Sequence, residues 1–291
     1  MEKLSFSGHD TFICKQPWLK KGYDFITNGN SFSDESSVIE LGVGKNMVSA
    51  IKYWLKSFGI IDEKENITEF AKYIFDENGM DPYIEDIGTI WLLHYNLIKT
   101  NKASIYNIIF NEFIKERTEY PKENIVKYIL RICEDQNFKI SEKTLTSDIN
   151  VFIRNYFNKS LNKNSSYEDM AGVLSELNLV LHSTYKDIND QIVEIITFNK
   201  DRKENIPEHV ILYSILDYTN NSNSINIRGL VTGDNSLGKT FLINSDYIIE
   251  KIDLLKKDYP EIVFSETSGN QVIQFKKSIN KWNVLDDYYK N

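Results

Sequence analysis

The sequence predicts an α+β protein, predominantly helical, with an N-terminal winged helix-turn-helix, a helical middle region and a C-terminal winged-helix-like domain. Three observations predict it. Residues 36–61, "SSVIELGVGKNMVSAIKYWLKSFGII", read as a short helix, a Gly-containing turn, a longer helix and a Gly stop. The middle of the chain places apolar residues at helical spacing in four successive stretches. From Pro207 onward the order is helix, short element, helix and two alternating strands. The boundaries follow as 1–100 for the N-terminal segment, 101–205 for the helical middle and 206–291 for the C-terminal domain.

The first element is "SGHDTFICKQPWLKKGYDF" (7–25). His9 and Asp10 are adjacent among small residues, and in an extended segment they point to opposite faces. Gly8 permits the turn that would bring them together. His9 is a candidate general base or metal ligand.

In the longer helix, Met47, Val48, Ile51, Trp54, Leu55 and Phe58 recur every three to four residues and are expected to face the core. Lys45, Ser49, Lys52 and Lys56 form the opposite stripe, the expected DNA contact. Gly59 stops the helix, "IID" and "ITEF" are expected to pair as a hairpin, and Thr68 restarts a helix. Glu85 and Asp86, in "DPYIEDIGT", stand at a helix start, where carboxylates usually cap. A phosphodiesterase needs oxygen ligands for a hard divalent cation. His9, Asp10, Glu40, Glu85 and Asp86 are the candidate pool, with Asp10 and Asp86 as metal ligands. His94 lies on an apolar helix and reads as a core histidine.

The helices of the middle region are "PYIEDIGTIWLLHYNLI", "SIYNIIFNEFIKE", "PKENIVKYILRICEDQ" and "TSDINVFIRNYF". Residues 166–180 close it before two strand-like runs, "LVLHSTY" and "QIVEIITF". In the last domain, Gly233, Gly238, Lys239 and Thr240 carry the spacing of a phosphate-binding P-loop. A P-loop needs a buried strand before it and a helix after it. Thr240–Ile243 reads instead as a strand, so residues 238–243 are expected to form the first short strand of the second winged-helix-like domain, and no nucleotide is expected. The helix after it, "SDYIIEKIDLLKK", has no basic stripe and suits protein contact.

Composition narrows the classes further. With 41% hydrophobic residues in 291, the chain has the composition of a globular protein. No apolar run reaches the ~20 residues that span a bilayer, and the N-terminus lacks an apolar signal core, so a cytoplasmic location is expected. Two cysteines, Cys14 and Cys133, give no disulfide framework. The net charge of −8 is uneven: residues 1–60 carry +1, and residues 61–100 carry −6. The first segment is thus free to face phosphate, with an affinity that depends strongly on salt.

"FSGHDTF", "WLKKGYDF", "VIELGVGKNMVSAIKYWLKSFGII", "TEFAKYIF" and "DPYIEDIGTIWLLHYNL" together resemble the SspB-like family of bacterial DNA phosphorothioation systems, long described as a domain of unknown function. The resemblance covers most of the first 120 residues and extends more loosely to the C-terminus. It matches His9, Asp10, Thr11 and Phe12 to the family's opening element, and Gly42, Gly44, Lys45, Asn46 and Trp54 to its helix-turn-helix. Glu85 and Asp86 match its Asp-Pro-x-x-Glu-Asp element, and Asn46 joins the DNA-contact set. Lys15 stands where an Arg is expected, so a phosphate contact there would not be bidentate.

The resemblance implies a role in DNA sulfur modification and phage defence beside a cysteine desulfurase, an ATP-pyrophosphatase and an ATPase. It implies DNA nicking. Hydrolysis of a phosphodiester would need magnesium or manganese to activate water, and the residues themselves offer His9, Asp10, Glu85 and Asp86 as the catalytic candidates. The alternative is a non-catalytic winged-helix adaptor that recruits sulfur-transfer enzymes to DNA. No membrane partner is expected.

Overall fold

Residues 4–115, 117–157, 171–220 and 222–290 are described by the computed structural model of the chain. It divides into two compact units, Met1–Asn199 and Lys200–Asn291, where the sequence reading draws its last boundary at 205/206. The fold is mixed α+β and predominantly helical, with two small three-stranded sheets.

In the first unit, α1 (Gln16–Thr27) carries Pro17 in its first turn, where it costs nothing because first-turn N–H groups lack an intrahelical acceptor. Helix α2 (Ser37–Leu41) stops at Gly42, whose φ of +58° is left-handed and suits a residue without Cβ. Helix α3 (Lys45–Ser57) buries Val48, Ala50, Ile51, Trp54 and Leu55, close to the expected stripe. Helices α1, α2 and α3 pack on one another. The expected hairpin after α3 is reduced to one antiparallel bridge, Ile61 with Ile67. Thr68 then caps α4 (Glu69–Phe75) by accepting from the Ala71 N–H at 3.1 Å.

Helix α5 (Ile87–Thr100) is apolar on every side, and Ile90 to Leu93, Leu97 and Ile98 are all buried. His94 is buried as expected, its Nδ1 2.9 Å from the Tyr156 hydroxyl. Helix α6 (Ser104–Ile108) runs into a π-helical turn (Ile109–Phe113). Strand β1 (Glu119–Pro121), α7 (Lys122–Asp135), α8 (Glu142–Tyr156), β2 (Val180–Lys186) and β3 (Ile192–Phe198) follow. The sheet order is β1-β3-β2, all antiparallel. Of the closing stretch 166–180, residues 166–170 lie outside the described residues. The remainder forms a short 3-10 turn, Ser175–Leu177, and the start of β2. Trp54, Tyr106, Phe110, Phe152 and Tyr156 form an aromatic core with tilted and edge-on contacts, such as Trp54–Tyr106 at 6.0 Å and 85°. Cys14 and Cys133 are free and buried.

The second unit runs α9 (Glu208–Thr219), β4 (Ser224–Asn226), α10 (Ile227–Thr232), α11 (Leu237–Phe241), α12 (Ser245–Leu255), β5 (Ile262–Thr267), β6 (Asn270–Phe275) and α13 (Lys281–Tyr289). Its sheet order is β4-β6-β5, antiparallel throughout. One expectation fails here: residues 238–243 are not a strand. Residues 237–241 form a short helix because the Ser236 side chain caps it and Leu237 and Phe241, four apart, both turn into the core. The β-branched, aromatic composition of the stretch misled the reading; helical packing overrode propensity. Among the described residues, no helix is long and apolar enough to cross a membrane.

Candidate nucleic-acid interface

Helix α3 follows α2 across the three-residue turn Gly42-Val43-Gly44, and in its N-terminal half one face is open to solvent. Lys45, Asn46 and Ser49 are all exposed. Lys45 occupies the first position of α3, where a cation opposes the helix dipole. It therefore adds its charge to that of the unsatisfied N–H groups, an arrangement that costs the helix stability and attracts anions.

The C-terminal half of the stripe differs. Lys52 and Lys56 are half-buried and face the turn that joins Ile61 to Ile67. Lys52 Nζ lies 2.5 Å from Glu65 Oε1; Lys56 Nζ lies 3.9 Å from the same atom and 4.0 Å from Glu63 Oε2. Lys102 also pairs with Glu63. Periodicity put the four stripe residues on one face, but it could not see that the acids 62–66 fold back onto that face.

His9 is buried at 3% exposure, stacked on the Trp54 ring (5.2 Å, 7°) and edge-on to Tyr53. Its Nδ1 is 3.0 Å from the Asp10 carbonyl, and its Nε2 is 3.9 Å from Asp148 Oδ1. Burial pushes the imidazole down to about 4. Asp148, on α8 and 2% exposed, accepts from the Ser7 N–H at 2.6 Å and the Ser7 hydroxyl at 3.2 Å. Burial pushes its carboxyl up to about 6. The ring is thus held by the backbone carbonyl of the adjacent acid, while the nearest carboxylate to Nε2 is that of a residue distant in sequence. Asp10 is exposed and holds a left-handed φ of +55°.

Sequence reasoning missed Asp148. The available signal was an acid on the buried stripe of α8, between Leu145 and Ile149, Phe152 and Tyr156.

The second acidic segment is organised by Asp81, which also went unremarked. Its carboxylate accepts from the N–H groups of Glu85 (2.9 Å) and Asp86 (3.0 Å). Asp86 in turn caps α5, accepting from the Gly88 N–H at 2.7 Å. Gln16 Nε2 donates to the carbonyls of Tyr83 and Ile84, both at 2.8 Å, which ties this loop to α1. Glu85 and Glu40 are exposed. Among the described residues, no three His, Cys, Asp or Glu side chains converge where a metal ion could sit. His9, Asp10, Glu85 and Asp86 therefore do not form one ligand set.

The P-loop spelling has a packing explanation. Helix α10, not a strand, leads into Gly233. A Cβ on Gly238 would lie 2.5 Å from the Cα and carbonyl oxygen of Val231, and one on Gly233 would lie 2.2 Å from the Tyr218 hydroxyl. Both glycines therefore permit close helix approach. Lys239 Nζ pairs with Asp234 Oδ1 at 2.8 Å.

Comparison with known proteins places this geometry in a family. A family model described as "Protein of unknown function (DUF4007)" matches residues 6–289. No curated protein matches. A solved structure described as "Magnesium ion-bound SspB crystal structure" superposes with a TM-score of 0.84 at 24% identity, covering 99% of this chain and 88% of that one. A second, "SspB crystal structure", gives 0.82 at the same identity and coverage. The chain belongs to the DUF4007 family and shares its fold with the SspB crystal structures.

Proposed function

We propose that this chain is a DNA-binding component of a bacterial DNA phosphorothioation system. The observation that carries the reading is the fold shared with SspB over 99% of the chain. Two features support a DNA contact. Helices α2 and α3 follow one another as in a helix-turn-helix, with Lys45, Asn46 and Ser49 on the exposed face. The order α9-β4-α10-α11-α12-β5-β6 and the β4-β6-β5 sheet of the second unit support a winged-helix reading of it. Its α12 mixes Asp246, Glu250 and Asp253 with Lys251, which suits contact with partner proteins. A cysteine desulfurase, an ATP-pyrophosphatase and an ATPase are the partners this reading assigns.

The reading has a catalytic and a non-catalytic form. In the catalytic form the protein nicks DNA with magnesium or manganese. The neighbour's bound magnesium favours this form. Among the described residues, no donor set completes a protein-only site. A magnesium ion held by one or two carboxylates would draw its remaining ligands from water and DNA phosphate. In the non-catalytic form the protein is an adaptor. The placements favour it: His9 is enclosed against Trp54, Asp81 shapes its loop and Asp86 caps α5.

Supercoiled plasmid incubated with the protein, with and without magnesium or manganese, separates the forms. Metal-dependent open circles support nicking. Retarded but intact plasmid supports the adaptor. Plasmid neither retarded nor cut removes both.

A further inference from the structure

We propose that the acidic turn 62–66 is a built-in competitor for DNA phosphate, holding Lys52 and Lys56 of α3 away from DNA until its glutamates are displaced. The inference rests on the DNA-binding reading above and adds a regulation of that surface.

The turn is organised before any ligand arrives. Asp62 Oδ1 accepts from the N–H groups of Lys64 and Asn66, both at 2.8 Å, and its N–H donates to the Asn66 carbonyl at 2.9 Å. The Asn66 amide donates to Asp62 Oδ2 at 3.0 Å, and Glu65 adopts a left-handed φ of +67°. This geometry presents Glu65 to Lys52 and Lys56, and Glu63 to Lys56 and Lys102. Lys56 Nζ also donates to the Glu63 carbonyl at 3.3 Å. The Lys102 ammonium, with Lys56 behind it, holds the Glu63 carboxyl below its usual range.

Exposed ion pairs contribute little to stability, so structure alone gives weak reason for two glutamates here. Their charge does matter to a polyanion. The Glu65 carboxylate occupies the position on Lys52 that a phosphate oxygen would take, and the carboxylates of Glu63 and Glu65 both stand within 4.0 Å of the Lys56 ammonium. Binding through Lys52 and Lys56 must first expel those carboxylates, so in the resting chain only the Lys45 end of α3 is open. A basic protein partner that captures Glu63 and Glu65 would release both lysines at once.

The test compares the full-length chain with Glu63→Gln/Glu65→Gln in duplex binding across a salt series. Gln keeps the shape at both positions and meets the same backbone demand at 65. The double variant is expected to bind about tenfold tighter at ~0.1 M salt, with a salt slope steeper by about two units, one per freed lysine. Adding Lys52→Ala and Lys56→Ala should erase the gain. Glu134→Gln/Glu176→Gln, two exposed acids elsewhere in the unit, controls for net charge. If the wild type binds DNA and the 63/65 variant matches this control, the competitor is overturned and the DNA reading stands. If neither wild type nor variant binds, the DNA reading falls and takes this inference with it.

Discussion

His9 Nε2 stands 3.9 Å from Asp148 Oδ1, with the imidazole enclosed between Tyr53 and Trp54. The pair couples the N-terminal segment to α8, and its two titrations oppose each other. His9, lowered from 6.5 to about 4, contributes stability that is present above 6.5 and lost as pH falls towards 4. Asp148, raised from 3.8 to about 6, contributes stability that is present below 3.8 and lost as pH rises through 6. Between about 4 and 6 the unfolded chain holds one proton on His9, and the folded chain holds one on Asp148. The two contributions to the pH slope cancel. Asp148→Asn removes one side of the balance. Its stability is expected to fall by about 1.4 kcal/mol per pH unit on acidification from 6.5 to 4, beyond any slope of the wild type. Urea melts at several pH values measure this, and parallel slopes would contradict the opposed shifts of the two buried groups.

The two ends of the α3 stripe should behave differently in DNA binding. Lys45→Ala is expected to reduce the salt slope by about one unit. Lys52→Ala/Lys56→Ala should leave it nearly unchanged, because Glu65 and Glu63 already occupy those ammonium groups. An equal loss for all three lysines would mean that the acidic turn gives way freely to DNA.

Asp86 caps α5 through the Gly88 N–H. Asp86→Ala should cost about 1 kcal/mol through the lost bond to the Gly88 N–H, while Glu85→Ala, at an exposed position, should change stability little. Thermal melts check the first statement. Any plasmid nicking by the wild type should survive Asp86→Ala if the residue only caps, and its loss in a folded variant would return Asp86 to the metal-ligand pool.

Lys239→Ala should leave folding nearly intact, since it removes one surface ion pair with Asp234. Gly238→Ala should destabilise by about 1–3 kcal/mol, because the added methyl meets the Val231 backbone, which cannot move aside as a side chain can. Calorimetric titration with ATP accompanies both. Tight binding lost on Lys239→Ala would restore the P-loop that the helix α10, standing where a strand should lead into Gly233, argues against.

Where local chemistry decides, the sequence was informative. The Gly42-to-Gly44 turn, the buried face of α3, the Thr68 cap and the burial of His94 follow from spacing and residue type. One failure came where a local cap outweighed composition, and the others where distant residues decide. The Thr240–Ile243 stretch has strand composition, yet the Ser236 cap and the burial of Leu237 and Phe241 make residues 237–241 helical. Asp148 looked like an ordinary helix residue until Ser7 and His9 met it. The glutamates that cover Lys52 and Lys56 come from a turn whose direction no periodicity encodes.

A labelled duplex titrated with the wild-type protein at a series of salt concentrations tests DNA recognition most directly. The expected result is saturable binding, with log affinity falling linearly as log salt rises. Absence of binding at low salt, by a chain that melts cooperatively, would contradict the assignment of this protein to DNA.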